Sequence, residues 1–193
     1  MDIAQAKLLH SKYAAGKYAL ELVFSHCQIV WEIAEQLIYR NKLVLENDLV
    51  KDGAFLHDIG AYRFIDEKGA FDEKNYIKHG IEGYKILKEE GLPEELCRMT
   101  ERHTGVGIAK EQIIKRSLPL PAKDYIAETI EEKLVMYADK FHSKYPRFNS
   151  FDSYREYAKR FGEGNQEKFT ELANMFGIPD LKLLSEKYHQ QIV

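Results

Sequence analysis

Cysteine is scarce in this sequence, which has only Cys27 and Cys97 among its 193 residues. Neither belongs to a C-x-x-C pair, so thiolate zinc ribbons and dithiol redox motifs are excluded. Isolated cysteines are typical of proteins kept in a reducing compartment, and we expect a cytoplasmic location.

Long apolar runs and an excess of one charge are also missing. No apolar stretch approaches the roughly 20 residues that a membrane helix needs. The first segment, MDIAQAKLLHSKYAAGK, lacks the apolar block of a signal peptide. The 28 basic and 31 acidic residues nearly balance, so we expect neither a membrane nor a nucleic-acid polymer as partner. A small phosphorylated ligand stays possible, because it requires only local positive groups.

Signals for β-hairpins are absent too, and the pattern is helical almost throughout. In residues 25–41, apolar side chains recur with a period near 3.6, and Ser25 is a plausible N-cap. The expected starts and ends of the other helices are Asn47 or Asp48 to near Gly60, Asn75 to Glu90, a helix after Pro93, one from Thr129 with a capping box to Glu132, and 152–162, 165–176 and 179–191. We therefore predict one all-α domain over residues 1–193.

Some of the histidines fall on apolar helix faces, where an ionisable group needs a partner. His26 precedes Ile29 and Val30 by three and four residues, and His103 follows Met99 by four. In GAFLHDIGAYR (53–63), His57 and Asp58 end an apolar helix directly. Burial of such groups is costly unless they are paired or bound to a metal.

His79 and Asp139 extend this inward set. His79 lies four residues before Gly83, whose missing side chain would admit another backbone or a ligand, and Asp139 follows Val135 by four. Four histidines and two aspartates that converge form either a hydrogen-bonded network or a site for Fe, Mn, Co or Zn. His10, His142 and His189 are read as surface or structural residues.

At these positions the sequence resembles the HD-domain superfamily of metal-dependent phosphohydrolases, and LHDIG (56–60) resembles its HDIG subgroup. The segments that carry the resemblance are His26, His57-Asp58, KHGIEGYKIL (78–87), ERHTGVGI (101–108) and LPLPAKDYIAETIEEKLVMYADK (118–140). The resemblance implies an HD helical bundle over about 22–145, with additional C-terminal helices over about 146–193. The aromatic-rich C-terminal part is expected to cover the core, and a homo-oligomer is left open.

The resemblance also implies a ligand set. His26, His57, Asp58 and Asp139 would hold one divalent ion, and Asp58 would bridge to a second ion completed by His79 and His103. The expected reaction is hydrolysis of a phosphoester or phosphoanhydride, with a nucleotide as first choice of substrate, by water activated at one or two ions. Asp58 and Arg63 are assigned catalytic roles. The cations expected to bind substrate are Arg63, Lys85, Arg102 and Lys140, and Thr104 and Gly105 are candidate backbone donors to phosphate.

Two other functions fit the same ligand types. Some HD-fold proteins are di-iron oxygenases, and others bind nucleotides without turnover as regulatory modules. Hydrolysis is preferred to the oxygenase because oxygenases are a small part of the superfamily, and it is preferred to the regulatory module because none of the six ligands is missing.

Overall fold

The computed structural model describes residues 1–162 and 164–193, and that part of the chain is dominated by α-helices. The α-helices are α1 Ile3–Tyr13, α2 Lys17–Asn41, α3 Asn47–Leu56, α4 His79–Glu89, α5 Glu94–Arg102, α6 Lys110–Arg116, α7 Ile130–Asp139, α8 Phe151–Ala158, α9 Asn165–Phe176 and α10 Lys182–Tyr188. Short 3-10 helices span Ile59–Phe64, Tyr76–Lys78 and Lys159–Phe161. The all-α prediction is confirmed. None of the described helices combines the length and apolar character that crossing a bilayer requires.

The long helix α2 begins earlier than predicted. Ser25 does not cap it but lies exposed in the middle of the helix, which starts at Lys17. The buried stripe predicted from Ile29 onward continues backward through Ala19 and Val23. Packing of this longer stripe therefore outweighs the tendency of a serine to begin a helix.

The helix boundaries next to the candidate site also differ from the predictions. α3 ends at Leu56 rather than near Gly60, and the segment predicted to be helical from Asn75 begins as a 3-10 turn before α4. At the start of α7, the Thr129 hydroxyl accepts a hydrogen bond from the Glu132 amide. The Glu132 carboxylate turns instead to the amide of Glu128, so only half of the predicted capping box forms.

A small three-stranded sheet was not predicted. Its strands are β1 His142–Ser143, β2 Arg147–Phe148 and β3 Gln191–Ile192. β1 pairs antiparallel with β2, and β2 pairs parallel with β3. The helix predicted over 179–191 is shortened accordingly, to Lys182–Tyr188. Strands of two residues are too short to produce an alternating pattern in the sequence.

The core lies around α2, α3 and α7, and the C-terminal helices close one side of it. Phe148, Phe169 and Phe176 are fully buried in the same cluster as Tyr137 and Phe141. Most of the aromatic C-terminal segment therefore packs inward, as expected, whereas Tyr157 keeps about half of its surface exposed.

Two glycines allow the backbones around the candidate site to approach closely. A Cβ atom on Gly60 would lie 2.1 Å from the carbonyl oxygen of His79, and one on Gly83 would lie 2.2 Å from Cγ2 of Thr100. The expected close approach at Gly83 is thus made by protein rather than by a ligand. Without a glycine at position 60, the turn that carries Asp58 could not contact the start of α4.

Candidate metal centre

Five separate segments bring the six predicted ligand residues together. His26 projects from the middle of α2, His57 and Asp58 follow α3, His79 begins α4, His103 follows α5 and Asp139 ends α7. The ligand atoms of His26, His57, Asp58 and Asp139 lie within 4.8 Å of one another, and those of Asp58, His79 and His103 do the same. The two groups share Asp58, as the resemblance implied. The five ligands other than Asp139 are buried, and the Asp139 side chain is 12% exposed.

Three of the four imidazoles are held by the same local contact. His57 Nδ1 donates to the carbonyl oxygen of Ala54 at 2.8 Å, His79 Nδ1 to Tyr76 at 2.7 Å and His103 Nδ1 to Thr100 at 2.7 Å. A carbonyl oxygen only accepts, so each Nδ1 carries the proton. In the neutral ring, each Nε2 atom then presents a lone pair to the cluster.

His26 is oriented by a relay of hydrogen bonds through His142 to Gln190, the residue directly before β3. Its Nδ1 atom lies 2.8 Å from Nδ1 of His142, whose Nε2 atom lies 2.7 Å from Oε1 of Gln190. If Gln190 accepts from His142, then His142 accepts from His26, and His26 Nε2 is left free to bind a metal. This role of His142 and Gln190 was not predicted from the sequence. The only signal was the position of His142 near Asp139.

The other two histidines lie outside the cluster. His10 is fully buried and shares hydrogen bonds with the Tyr62 hydroxyl at 2.8 Å and the Phe55 carbonyl at 2.7 Å. His189 is exposed. Both agree with the structural or surface reading.

Three acceptor atoms meet without a suitable donor at the second group. His79 Nε2 lies 2.9 Å from His103 Nε2, and Asp58 Oδ1 lies 3.4 Å and 3.5 Å from them. A hydrogen bond between the two Nε2 atoms would need a doubly protonated ring. Burial opposes this, because it lowers the pKa of His79 to about 3 and lowers that of His103 as well. Neutral imidazoles and a carboxylate in this arrangement fit a divalent cation.

Asp58 itself is short of hydrogen bonds. Among the described residues, no donor reaches either of its buried oxygens with acceptable geometry, although charged groups lie close. Burial would raise its pKa, but the Lys144 ammonium and His57 hold the pKa of this carboxyl well below its usual range. Asp58 is therefore an ionised, buried carboxylate that a cation would stabilise.

The first group has the same electrostatic character. Burial would raise the pKa of Asp139, but the adjacent Lys140 ammonium keeps it well below its usual range. Burial would lower the pKa of His57, yet the charge of Asp58 raises it well above 6.5. A metal that binds His57 would replace its Nε2 proton, so metal binding here should release protons.

Two lysines reach the cluster, and only one of them was predicted. Lys140 Nζ donates to the His103 carbonyl at 2.9 Å and to Asp139 Oδ2 at 2.5 Å. Lys144, in the turn between β1 and β2, places its ammonium against Asp58 Oδ2 and over the ring of Tyr76. Lys144 was not predicted, because the turn that carries it belongs to the unpredicted sheet.

The structure does not bring the other three predicted cations to the cluster, and their assigned roles are corrected. Arg63 is exposed and lies over the ring of Tyr13 at 5.7 Å. Lys85 pairs with Glu82 at 2.7 Å on the outer face of α4. Arg102 is engaged by Glu128 at 2.9 Å and Glu132 at 3.4 Å. Nearness in sequence to a ligand does not determine on which side of a helix a long side chain lies.

A cavity of about 380 Å³ opens above the cluster. His79, His103 and Asp139 form part of its floor, and Lys140 and Lys144 line it. Thr104 and Gly105 also line it, at the position where we expected backbone donors to phosphate. A small ligand can therefore approach the cluster from this side.

Three known proteins are similar to this chain in sequence. An uncharacterized protein of Methanocaldococcus jannaschii is 38% identical over 148 residues, which cover 75% of this chain and 80% of that protein. Proteins named tRNA (cytidine(56)-2'-O)-methyltransferase from Picrophilus torridus and Thermoplasma volcanium are 38% and 31% identical over 64% and 83% of this chain. The chain spans only 32% and 42% of those two proteins.

A solved structure and a family profile extend the comparison. The HD domain of the phosphodiesterase PgpH from L. monocytogenes matches with a TM-score of 0.57 and 15% identity, covering 95% of this chain and 99% of that one, which shows a shared fold. The same domain in complex with cyclic-di-AMP matches with a TM-score of 0.55. The profile of the HD domain matches residues 23–144. The chain therefore belongs to the HD domain family.

Proposed function

We propose that this protein is a metal-dependent phosphohydrolase that cleaves a phosphoester or phosphoanhydride bond in a small phosphorylated molecule. One observation carries the proposal. Nε2 lone pairs and carboxylate oxygens converge in two groups that share Asp58, and His79, His103 and Asp58 meet there as three acceptors. Such a set is stabilised by cations, and the cavity above it admits a ligand.

The residues present divide into two sets of ligands. His26, His57, Asp58 and Asp139 would hold one divalent ion, and Asp58, His79 and His103 would hold a second. Divalent ions held there would lower the pKa of water and neutralise charge that develops on a phosphoryl group. Iron, manganese, cobalt and zinc all suit these nitrogen and oxygen ligands.

The chain's own residues supply the remaining steps. Lys140 and Lys144 line the cavity and would bind the non-bridging oxygens of the phosphate. Asp58, at the junction of the two ligand sets, would orient the attacking water in line with the leaving oxygen. The walls around the buried ligands limit the access of bulk water, which strengthens these charge interactions.

A nucleotide is the first choice of substrate. The PgpH domain, which shares this fold, has been solved with cyclic-di-AMP, and the cavity here is in the size range of small-molecule sites. The near balance of charge supports a small ligand rather than a polymer. The names of the two methyltransferase relatives make tRNA a useful additional probe.

The test begins with elemental analysis of the purified protein. Phosphate release is then screened over nucleoside monophosphates, cyclic dinucleotides and simple phosphate esters with Mn, Fe, Co and Zn. We expect metal-stimulated release that Asp58→Asn abolishes and the control His189→Asn, at an exposed position, preserves. Comparable release by Asp58→Asn would refute the mechanism.

The same screen separates the other functions. A reaction that requires oxygen would indicate an oxygenase, so the assays are repeated under anaerobic conditions. Saturable nucleotide binding without product, in protein loaded with metal, would indicate a regulatory module.

A further inference from the structure

A second cavity adjoins the candidate metal centre. Its volume is about 400 Å³, within the range of small-molecule sites. It shares Glu73, Tyr76, His79, Thr104, Gly105, Tyr154 and Tyr157 with the first cavity. A molecule with its phosphate at the metal centre can therefore extend into the second cavity without leaving the protein surface.

The second cavity differs from the first in the chemistry of its walls. Besides the shared Tyr154 and Tyr157, its lining includes the apolar Val106, Ile108 and Leu118 and the aromatic Phe161, none of which lines the first cavity. The ring centroids of Tyr157 and Phe161 lie 5.0 Å apart, and those of Tyr154 and Tyr157 lie 6.0 Å apart. Grouped aromatic side chains beside a phosphate site provide a surface on which a planar ring can stack.

Arg116 helps to hold this aromatic wall in place. Its Nη1 atom donates to the carbonyl oxygen of Phe161 at 2.6 Å, and its guanidinium lies 5.8 Å from the centre of the Phe161 ring. Gln112, another lining residue, directs its side-chain oxygen to the amide of Ala109 at 2.9 Å. The two Arg116 contacts fix the position of Phe161 in the wall.

Asn165 adds a polar atom that has no hydrogen-bond partner among the described residues. It is the first residue of α9, lines the second cavity and is only 4% exposed. Its Oδ1 atom is buried and accepts no hydrogen bond from residues 1–162 or 164–193. An unpaired buried acceptor costs about 1–3 kcal/mol, so a ligand N–H group that reaches it would be favoured.

We propose that the second cavity is a base subsite, which takes the amino-bearing base of a nucleoside phosphate whose phosphate lies at the metal centre. The base stacks on the wall formed by Tyr157 and its aromatic neighbours, and its N–H group donates to Asn165. This inference rests on the proposed function for the position of the phosphate, whereas the aromatic wall and the unpaired amide support it independently.

The first test compares substrates with and without a base. The ratio of kcat/KM for adenosine 5′-monophosphate to that for ribose 5-phosphate is measured with Mn²⁺. Loss of the stacking surface in Tyr157→Ala should lower this ratio about 5- to 150-fold, and Asn165→Ala should lower it about 10-fold. Tyr157→Phe keeps the ring and should keep the ratio. Tyr39→Ala removes an exposed tyrosine of α2 and serves as the matched control.

The second test does not depend on turnover. Adenosine and purine riboside are titrated into the wild-type protein and the Tyr157→Ala and Asn165→Ala variants, and binding is followed by NMR. We expect adenosine to bind the wild type more tightly than purine riboside, whose base has no N–H group, and each variant to weaken adenosine binding.

The outcomes separate this inference from the proposed function. Phosphate release that is equally efficient with and without a base, and equal in Tyr157→Ala, would overturn the base subsite and leave the hydrolase intact. Adenosine binding that depends on Tyr157 without phosphate release from any substrate would support the subsite and refute the hydrolase. Equal binding of adenosine and purine riboside, unchanged in Asn165→Ala, would refute the hydrogen bond to Asn165.

Discussion

Replacement of Lys144 by methionine tests whether a protein ammonium and a metal ion stabilise the same carboxylate. Lys144 is paired with Asp58, whose side chain is fully buried, while its own side chain is 13% exposed. Methionine keeps most of the length and apolar contact of the lysine but removes the charge. In protein stripped of metal with a chelator, the variant leaves Asp58 as a buried carboxylate without this partner.

The expected magnitude follows from burial. Removal of one partner from a buried ion pair costs about 3–5 kcal/mol, because the other charge is left uncompensated. For a chain of this size, each kcal/mol shifts Tm by about 2–4 °C, so metal-free Lys144→Met should melt about 6–20 °C below the metal-free wild type. A divalent ion at Asp58 compensates the same charge. Most of this difference should therefore disappear with metal, and metal affinity should rise by up to about 150- to 5,000-fold.

The assay is thermal unfolding of both proteins with chelator and with Mn²⁺, together with a metal titration. Lys187→Met is the matched control, since Lys187 pairs with Glu32 at 2.8 Å but is 56% exposed. An exposed pair contributes about 0–1 kcal/mol, and the control should not respond to metal. If Mn²⁺ raises Tm equally in Lys144→Met and wild type, and the metal-free proteins melt together, Lys144 does not neutralise Asp58.

Three further predictions concern the metal, the relay and the buried histidine outside the site. Mn²⁺ at about 100 times its Kd should stabilise the wild type by about 2.7 kcal/mol, a rise in Tm of about 5–11 °C, and a similar rise in Asp58→Asn would contradict the ligand assignment. Gln190→Leu should weaken metal binding about 10- to 100-fold, because His142 and hence His26 are then no longer held in one tautomer. Gln190→Glu keeps the acceptor and should keep most of the affinity. Unchanged affinity in Gln190→Leu, measured by Co²⁺ titration, would exclude the relay. Burial lowers the pKa of His10 from 6.5 to about 4, so the unfolded chain takes up the proton first as the pH falls. Stability from His10 is therefore complete above pH 6.5 and lost towards pH 4, about 3 kcal/mol in all, and urea unfolding should show a smaller loss in His10→Gln.

The ligands were predictable because each has a signature in the sequence. His26 and His103 lie on apolar helix faces, and His57 and Asp58 end an apolar run, so their burial follows from helical periodicity. Their exact pairing does not follow from periodicity, because it depends on how the segments pack. Resemblance to a known family supplied that step, and the structure now brings the same residues together.

The residues around the ligands were predicted poorly, for a different physical reason. Lys144 and Gln190 reach the site from a turn and from next to a two-residue strand, and neither segment carries a periodic signal. Arg63 and Lys85 lie close to ligands in sequence but point elsewhere. Long charged side chains keep their head groups in water unless tertiary contacts hold them, so their direction is decided by neighbours rather than by position along the helix.

The positions of the ligands within their helices explain how this fold holds a cluster of acceptors. His57 and His103 each donate Nδ1–H to the carbonyl three residues earlier, and each follows the end of a helix, where such carbonyls are left without helical partners. His79 begins α4 and makes the same contact with Tyr76, whose carbonyl also accepts the His79 amide. The same contact therefore satisfies a backbone acceptor and selects the tautomer that exposes Nε2. His26 lies in the middle of α2, where the nearby backbone carbonyls already accept helical hydrogen bonds. It therefore needs His142 and Gln190 to fix its tautomer. Gln190, directly before β3, is thus coupled to His26, the one histidine ligand that the helix carrying it cannot orient.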